Sequence, residues 1–214
     1  MKKFDYKGIT ISWEGHASFK IKSKDKILQI DPFQLESFEK ADLILITHGH
    51  YDHCSLTDLS RIVKNGTIIV APPDCSSTLS KLQGIEIKLI QPHQKLQVYD
   101  FKIEAIPAYN VNKTFHKKTN NWVGYIIEVD SIRIYHAGDT DLIEEMKGLK
   151  NIDIALLPVG GTYTMDAKEA AEAANIIKPK IAVPMHYDKI VGDKDDAILF
   201  KKFAQCDVRI LSSE

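Results

Sequence analysis

The chain has 214 residues, 44% hydrophobic and 27% charged, with 28 Lys and Arg against 29 Asp and Glu for a net charge of −1. That length suits one well-packed domain over residues 1–214 and is short for two. The near-neutral balance, without a long basic run, argues against a nucleic-acid partner, and no apolar run of about 18 residues advertises a membrane span.

The N-terminal residues alternate polar and apolar, with no apolar core of signal-peptide length. Three cysteines, Cys54, Cys75 and Cys206, lack C-x-x-C spacing and give no disulfide framework, which fits a reducing cytoplasm. Strands are expected over residues 9–13, 18–21 and 26–30, a meander with turns at Gly15 and around residues 23–25. His16 lies in the first turn; a lone histidine there is more often solvated or hydrogen-bonded than a ligand. Asp31 ends the third strand before Pro32, where an extended backbone is favoured. Its carboxylate either orients a ligand histidine through the ring N–H or bonds turn amides.

The chemistry concentrates in the next stretch. An apolar run over residues 43–46 reads as a buried strand and empties into a loop that carries His48, His50, Asp52 and His53. An extended loop would put His48, His50 and Asp52 on one side, with His53 opening the following helix and pointing elsewhere. Such a loop can serve two neighbouring ions. Neutral imidazoles and a carboxylate suit zinc, and also manganese or iron. Cys54 beside them reads as a buried structural thiol rather than a ligand.

Ser55 with Asp58 then caps a helix whose apolar face is Leu56, Leu59, Ile62 and Val63, ended by Gly66. A strand over 67–71 follows, Pro72 and Pro73 break the chain, Asp74 caps a short helix to Leu82, and a strand covers 86–90. Hairpins are expected over 95–107 and 124–136, separated by a polar loop over 109–122, long enough to be functional or mobile. The second half repeats strand and helix: helices over 141–147, 167–177 and 195–204, strands over 152–159, 180–185 and 208–211. Asp139 follows one strand in a glycine-containing turn and His186 follows another, so strand ends from distant parts of the chain can converge on one rim. Tyr163, in the turn after Gly160 and Gly161, either lines a substrate pocket or packs on the adjoining helix.

Residues 48–53, HGHYDH, match the H-x-H-x-D-H signature and resemble the metallo-β-lactamase-fold hydrolases. GHASF at 15–19, IDPF at 30–33, YHAGDT at 135–140, LLPVGGTYTM at 156–165 and VPMHY at 183–187 follow in the order of that superfamily's lactonase-like and phosphodiesterase-like branch, so the resemblance covers nearly the whole chain. It implies an α/β fold, a four-layer αββα sandwich, which two halves of sheet plus flanking helices also predict. It implies two divalent metal ions, with Asp139 bridging them and His186 completing the second site. Asp52 would both bind the second metal and orient the attacking hydroxide, and His16 corresponds to a position facing the active site.

The chain departs from the pattern at one place. Related proteins supply the third histidine of the first site in the segment corresponding to 106–110, and here Asn110 stands there. A neutral amide is a poor zinc donor. His116, six residues on, is expected to fill the place, with Asn110 as its hydrogen-bonding neighbour. The competing reading is a solvated loop histidine among Lys113, Lys117 and Lys118. The expected function is a metal-dependent hydrolase that sets a metal-bound hydroxide on a small ester, lactone or phosphodiester. The alternative is a non-catalytic metal-binding or ligand-sensing protein that retains the fold. The expected partner is a small-molecule substrate, with no nucleic acid and no membrane; a homo-oligomer is left open.

Overall fold

Alternating apolar residues, Ile9, Ile11 and Trp13 on one strand and Phe19 and Ile21 on the next, bury a continuous face and fix the register in which these two strands pair. The computed structural model describes residues 2–212. Contacts divide it into two compact units, one formed by the chain up to Gln91 and the other by Pro92–Leu211.

The first unit is a seven-stranded mixed sheet in sequence order. Strands β1 (Lys3–Tyr6), β2 (Ile9–Gly15), β3 (Ser18–Ser23) and β4 (Lys26–Ile30) form an antiparallel meander. Parallel strands β5 (Leu43–Leu45), β6 (Thr67–Ala71) and β7 (Ile85–Leu89) extend it. Leu43, Ile44 and Leu45 are all fully buried, as expected of a parallel strand covered on both faces. The crossovers carry α1 (Leu56–Ile62) and the single turn α2 (Ser76–Leu79). Beneath them Ile44, Ile46, Leu59, Ile62, Ile69 and Leu79 enclose Cys54 and Cys75. Each aliphatic side chain buried this way contributes roughly 1.5–3 kcal/mol. Cys54 beside Cys75, together with burial, pushes the Cys75 thiol far up, so this thiol is inert packing.

The second unit repeats the plan. Strands β8 (Lys95–Val98), β9 (Phe101–Pro107), β10 (Val123–Val129) and β11 (Ile132–His136) are antiparallel. Strands β12 (Ile154–Pro158), β13 (Ile181–Met185) and β14 (Asp207–Val208) are parallel. Helix α3 (Ala167–Ile177) starts in a capping box of Asp166 and Glu169, buries five alanines and Ile177, and thereby packs closely. Helix α4 (Lys194–Phe203) starts in a second capping box, Asp193 with Asp196. No helix among the described residues is long and apolar enough to cross a membrane.

Several expectations are corrected. Strand β1 was not anticipated, since only Phe4 of its four residues is buried and the sequence shows no apolar run there. Helix α1 ends at Ile62 rather than at Gly66, with Val63 already extended. Asp74 caps no helix; it lies in a 3₁₀ turn, Pro73–Cys75, and its carboxylate accepts Gly49 N–H at 3.0 Å. The helix expected over 141–147 is a 3₁₀ turn, Glu144–Gly148, because the Asp141 carboxylate is taken up by other backbone and side-chain donors. The last strand is only Asp207–Val208.

Candidate metal centre

In the first unit, β5 delivers the chain at Ile46 into a tight turn rather than an extended loop. His53 and Cys54 N–H both donate to His50 O, at 3.1 and 2.8 Å. His53 therefore lies in this turn, ahead of α1, and faces His48 instead of pointing elsewhere, with ring centroids 4.0 Å apart. His48 and His50 also meet, Nε2 to Nδ1 at 3.0 Å. His48 and His53 are buried and His50 is exposed at the open side of the turn.

Hydrogen bonding fixes the ring nitrogens. The Asp31 carboxylate can only accept, so the Thr47 hydroxyl must give its single proton to Asp31 Oδ2, at 2.6 Å. Thr47 Oγ1 is then an acceptor for His48 Nδ1–H, at 3.0 Å. Asp31 Oδ2 likewise takes His53 Nδ1–H at 2.8 Å, while its Oδ1 takes Thr47 N–H at 2.8 Å. With Nδ1 occupied, His48 and His53 each present Nε2 outward, as metal-ligating histidines do. Asp52 Oδ2 lies 3.0 Å from His16 Nε2 and 3.6 Å from His53 Nε2. Thus His16, fully buried, is a hydrogen-bonded neighbour of Asp52.

Asp31 and His16 hold φ of 43° and 52°, in the left-handed region. The extended backbone expected of Asp31 before Pro32 is therefore wrong. Its three side-chain bonds and the Asp31 N–H bond to Leu45 O, at 3.0 Å, hold it there.

In the second unit, three loops supply the residues. Asp139 follows β11, His186 follows β13, and His116 comes from the long loop between β9 and β10. Asp139 Oδ2 faces His186 Nε2 at 3.1 Å and His116 Nε2 at 3.3 Å. His116 is 1% exposed, packed edge-on to Trp122 at 5.4 Å, and is not a solvated loop residue despite its lysine neighbours. Asn110 Oδ1 accepts both His116 N–H, at 2.9 Å, and His116 Nδ1, at 3.2 Å. His186 has a φ of 59°. Gly160 is forced by this corner: a Cβ there would sit 2.4 Å from His186 O. Tyr163 packs on Phe115 of the long loop, centroids 4.7 Å apart, and gives its carbonyl to Asn110 Nδ2 at 2.8 Å.

Thr47, Asp74, Asp141 and Trp122 were not anticipated at the site. Thr47 directly precedes the histidine motif and could have been found; the others depend on loops meeting in space. Buried imidazole and carboxylate donors with Nδ1 engaged suit a divalent cation.

Residues 10–186 match the family model described as a β-lactamase superfamily domain, and the chain belongs to that family. A UPF0173 metal-dependent hydrolase of Thermococcus onnurineus is 37% identical over 90% of this chain and 96% of its own length. Another from Thermoplasma acidophilum is 37% identical over 92% and 91%. Among solved structures, one from Parabacteroides distasonis is 34% identical, with a TM-score of 0.85 over 98% of this chain and 96% of that one. Igni18, a metallo hydrolase of Ignicoccus hospitalis, is 26% identical, with a TM-score of 0.77 over 95% of each chain. The fold class is therefore the metallo-β-lactamase α/β fold expected from the sequence, and the chain is an enzyme of the metal-dependent hydrolase class.

Proposed function

We propose that the chain hydrolyses a small ester, lactone or phosphodiester with two divalent ions, zinc first, with manganese or iron as alternatives. In this reading the metal ligands would be His48, His50, Asp52 and His53 in the first unit and His116, Asp139 and His186 in the second. That ligand set follows the family resemblance. The observation that carries it is the engagement of Nδ1 in His48, His53 and His116, by Thr47, Asp31 and Asn110 respectively, which leaves each Nε2 as the donor.

Divalent ions held by these donors would supply a water whose pKa falls from 15.7 towards about 7 and would polarise the oxygen of the bond under attack. The protein's own work is positioning. Asp31 and Thr47 lock two rings, His16 holds the Asp52 carboxylate, and Asp52 orients the attacking water by accepting its hydrogen bond. Tyr163 and Phe115 offer an aromatic edge next to His116, against which a small substrate can rest. We read both units as one working domain, and the cysteine usage as that of a cytoplasmic protein; Cys54, Cys75 and Cys206 are all free thiols.

The test is elemental analysis of the purified protein followed by assays on nitrophenyl acetate, a lactone panel and bis-nitrophenyl phosphate. About two metals per chain are expected, with turnover on one of the three classes, loss on chelation and recovery with zinc or manganese. His116→Ala should lower the metal from about two per chain to about one under mild dialysis, and Asn110→Ala should cost less. Retention of both metals in His116→Ala, with loss in Asn110→Ala, reverses that assignment. Metal without turnover on any class contradicts the proposed substrates.

A further inference from the structure

Asn110 and Asp141 form a buried polar junction, each less than a tenth exposed, where three segments of the second unit meet. Asp141 Oδ1 accepts Asn110 Nδ2 at 3.1 Å and Lys113 Nζ at 2.6 Å, and its Oδ2 accepts Val111 N–H at 2.9 Å. Lys113 Nζ also reaches Thr164 O at 3.0 Å. Asn110 Nδ2 has a second acceptor, Tyr163 O, at 2.8 Å. The carboxylate and the carbonyl can only accept, so the amide nitrogen must face them. Asn110 Oδ1 then necessarily faces His116, where the backbone N–H is a donor. The remaining contact, Oδ1 to His116 Nδ1, puts a proton on Nδ1 and turns Nε2 towards Asp139.

We propose that Asp141 is a positioning residue for His116. It orders residues 110–113 through three donors and, with Tyr163 O, fixes the Asn110 amide so that His116 carries its proton on Nδ1. This rests on His116 being a ligand, yet it is readable without metal. The junction also accounts for asparagine at 110. An aspartate would set a second carboxylate against Asp141 and Tyr163 O, and a histidine could not donate to both while accepting from His116.

The experiment is nitrogen-15 NMR of the His116 ring in metal-free protein, combined with zinc titration against a competing chelator. Wild type should show a Nδ1 proton protected from solvent exchange. In Asp141→Ala that protection should be lost, and affinity at one of two zinc sites should fall about 10–100-fold while the other is unchanged. Asp141→Asn, equal in size and able to return one acceptor oxygen, should fall between the two. A residue needed only for folding would weaken both sites together and leave the Nδ1 proton as in wild type. The proposal is overturned if wild-type Nδ1 carries no proton, or if the proton stays protected in whichever variant folds. If protection responds to Asp141 but His116→Ala keeps both zinc ions, the positioning stands and the ligand assignment falls.

Discussion

The two units share one strand plan, four antiparallel strands followed by three parallel ones, yet load corresponding loops differently. After the fourth strand of each comes an aspartate. Asp31 is spent on holding Thr47 and His53, whereas Asp139 faces the imidazoles of His116 and His186. After the fifth strand the first unit places its whole histidine turn, and the second places the glycine turn at Gly160 and Gly161. After the sixth strand the first unit supplies Asp74, which steadies Gly49, and the second supplies His186. A contiguous motif concentrates donors and needs props from elsewhere. Donors drawn from three separate loops need those loops to lock onto one another, which Asn110, Asp141 and Gly160 accomplish.

The largest expected effect breaks the first unit's motif. Asp52→Ala should lower turnover of the accepted substrate by roughly 10²–10⁴-fold with the fold intact, since under the proposed function it removes a ligand and the orienting carboxylate together. Near wild-type turnover with unchanged circular dichroism would sink that role. Next, Asp31→Ala separates prop from ligand. It leaves Thr47 N–H and His53 Nδ1–H without their acceptor, and metal affinity should fall about 10–100-fold in chelator competition. Unchanged affinity would reduce Asp31 to a turn residue. Gly160→Ala attacks the second unit's locking, because the new methyl meets His186 O at 2.4 Å. A loss of roughly 1–3 kcal/mol in denaturant unfolding is expected, with weaker metal retention; a neutral substitution would mean the corner is pliable.

The smallest effect belongs to the outer clamp of the long loop. Tyr109 Oη donates to Glu145 Oε2 at 2.8 Å, and Lys118 Nζ meets Glu145 Oε1 at 3.0 Å. Burial opposes ionisation of Glu145, but its backbone bond and Lys118 outweigh it and hold the carboxyl below its ordinary 4.5. The clamp's contribution is thus complete above that ordinary value and fades as pH falls through the depressed folded value. Glu145→Gln should cost only about 0.2–1 kcal/mol by thermal unfolding near neutral pH, and the difference from wild type should shrink in acid. A constant difference down to the acid limit would assign the effect to packing instead.

These contrasts explain what the sequence could disclose. The histidine turn was legible because four donors lie within six residues. The αβ alternation was legible because β5, β6, β12 and β13 are apolar runs separated by capped helices. The conformation of His53 was not, since the turn is closed by backbone bonds to His50 O that no side chain announces. Asp74 looked like a helix cap because a carboxylate before a short apolar stretch is the usual cap signal, and Asp141 was expected to open a helix. Each is instead held by donors remote in sequence, Gly49 for one and residues 110–113 for the other. The place of His116 was legible only through a departure: Asn110 stands where the resemblance puts a histidine, and the bonds that set His116 beside it arise from folding of the loop.

The most direct test is a crystal structure of the zinc-loaded protein with anomalous data collected at the zinc edge. The account predicts two anomalous peaks within coordination distance of Asp139, one shared with His116 Nε2 and one with His186 Nε2. A single peak, or peaks that leave either imidazole uncoordinated, would contradict it.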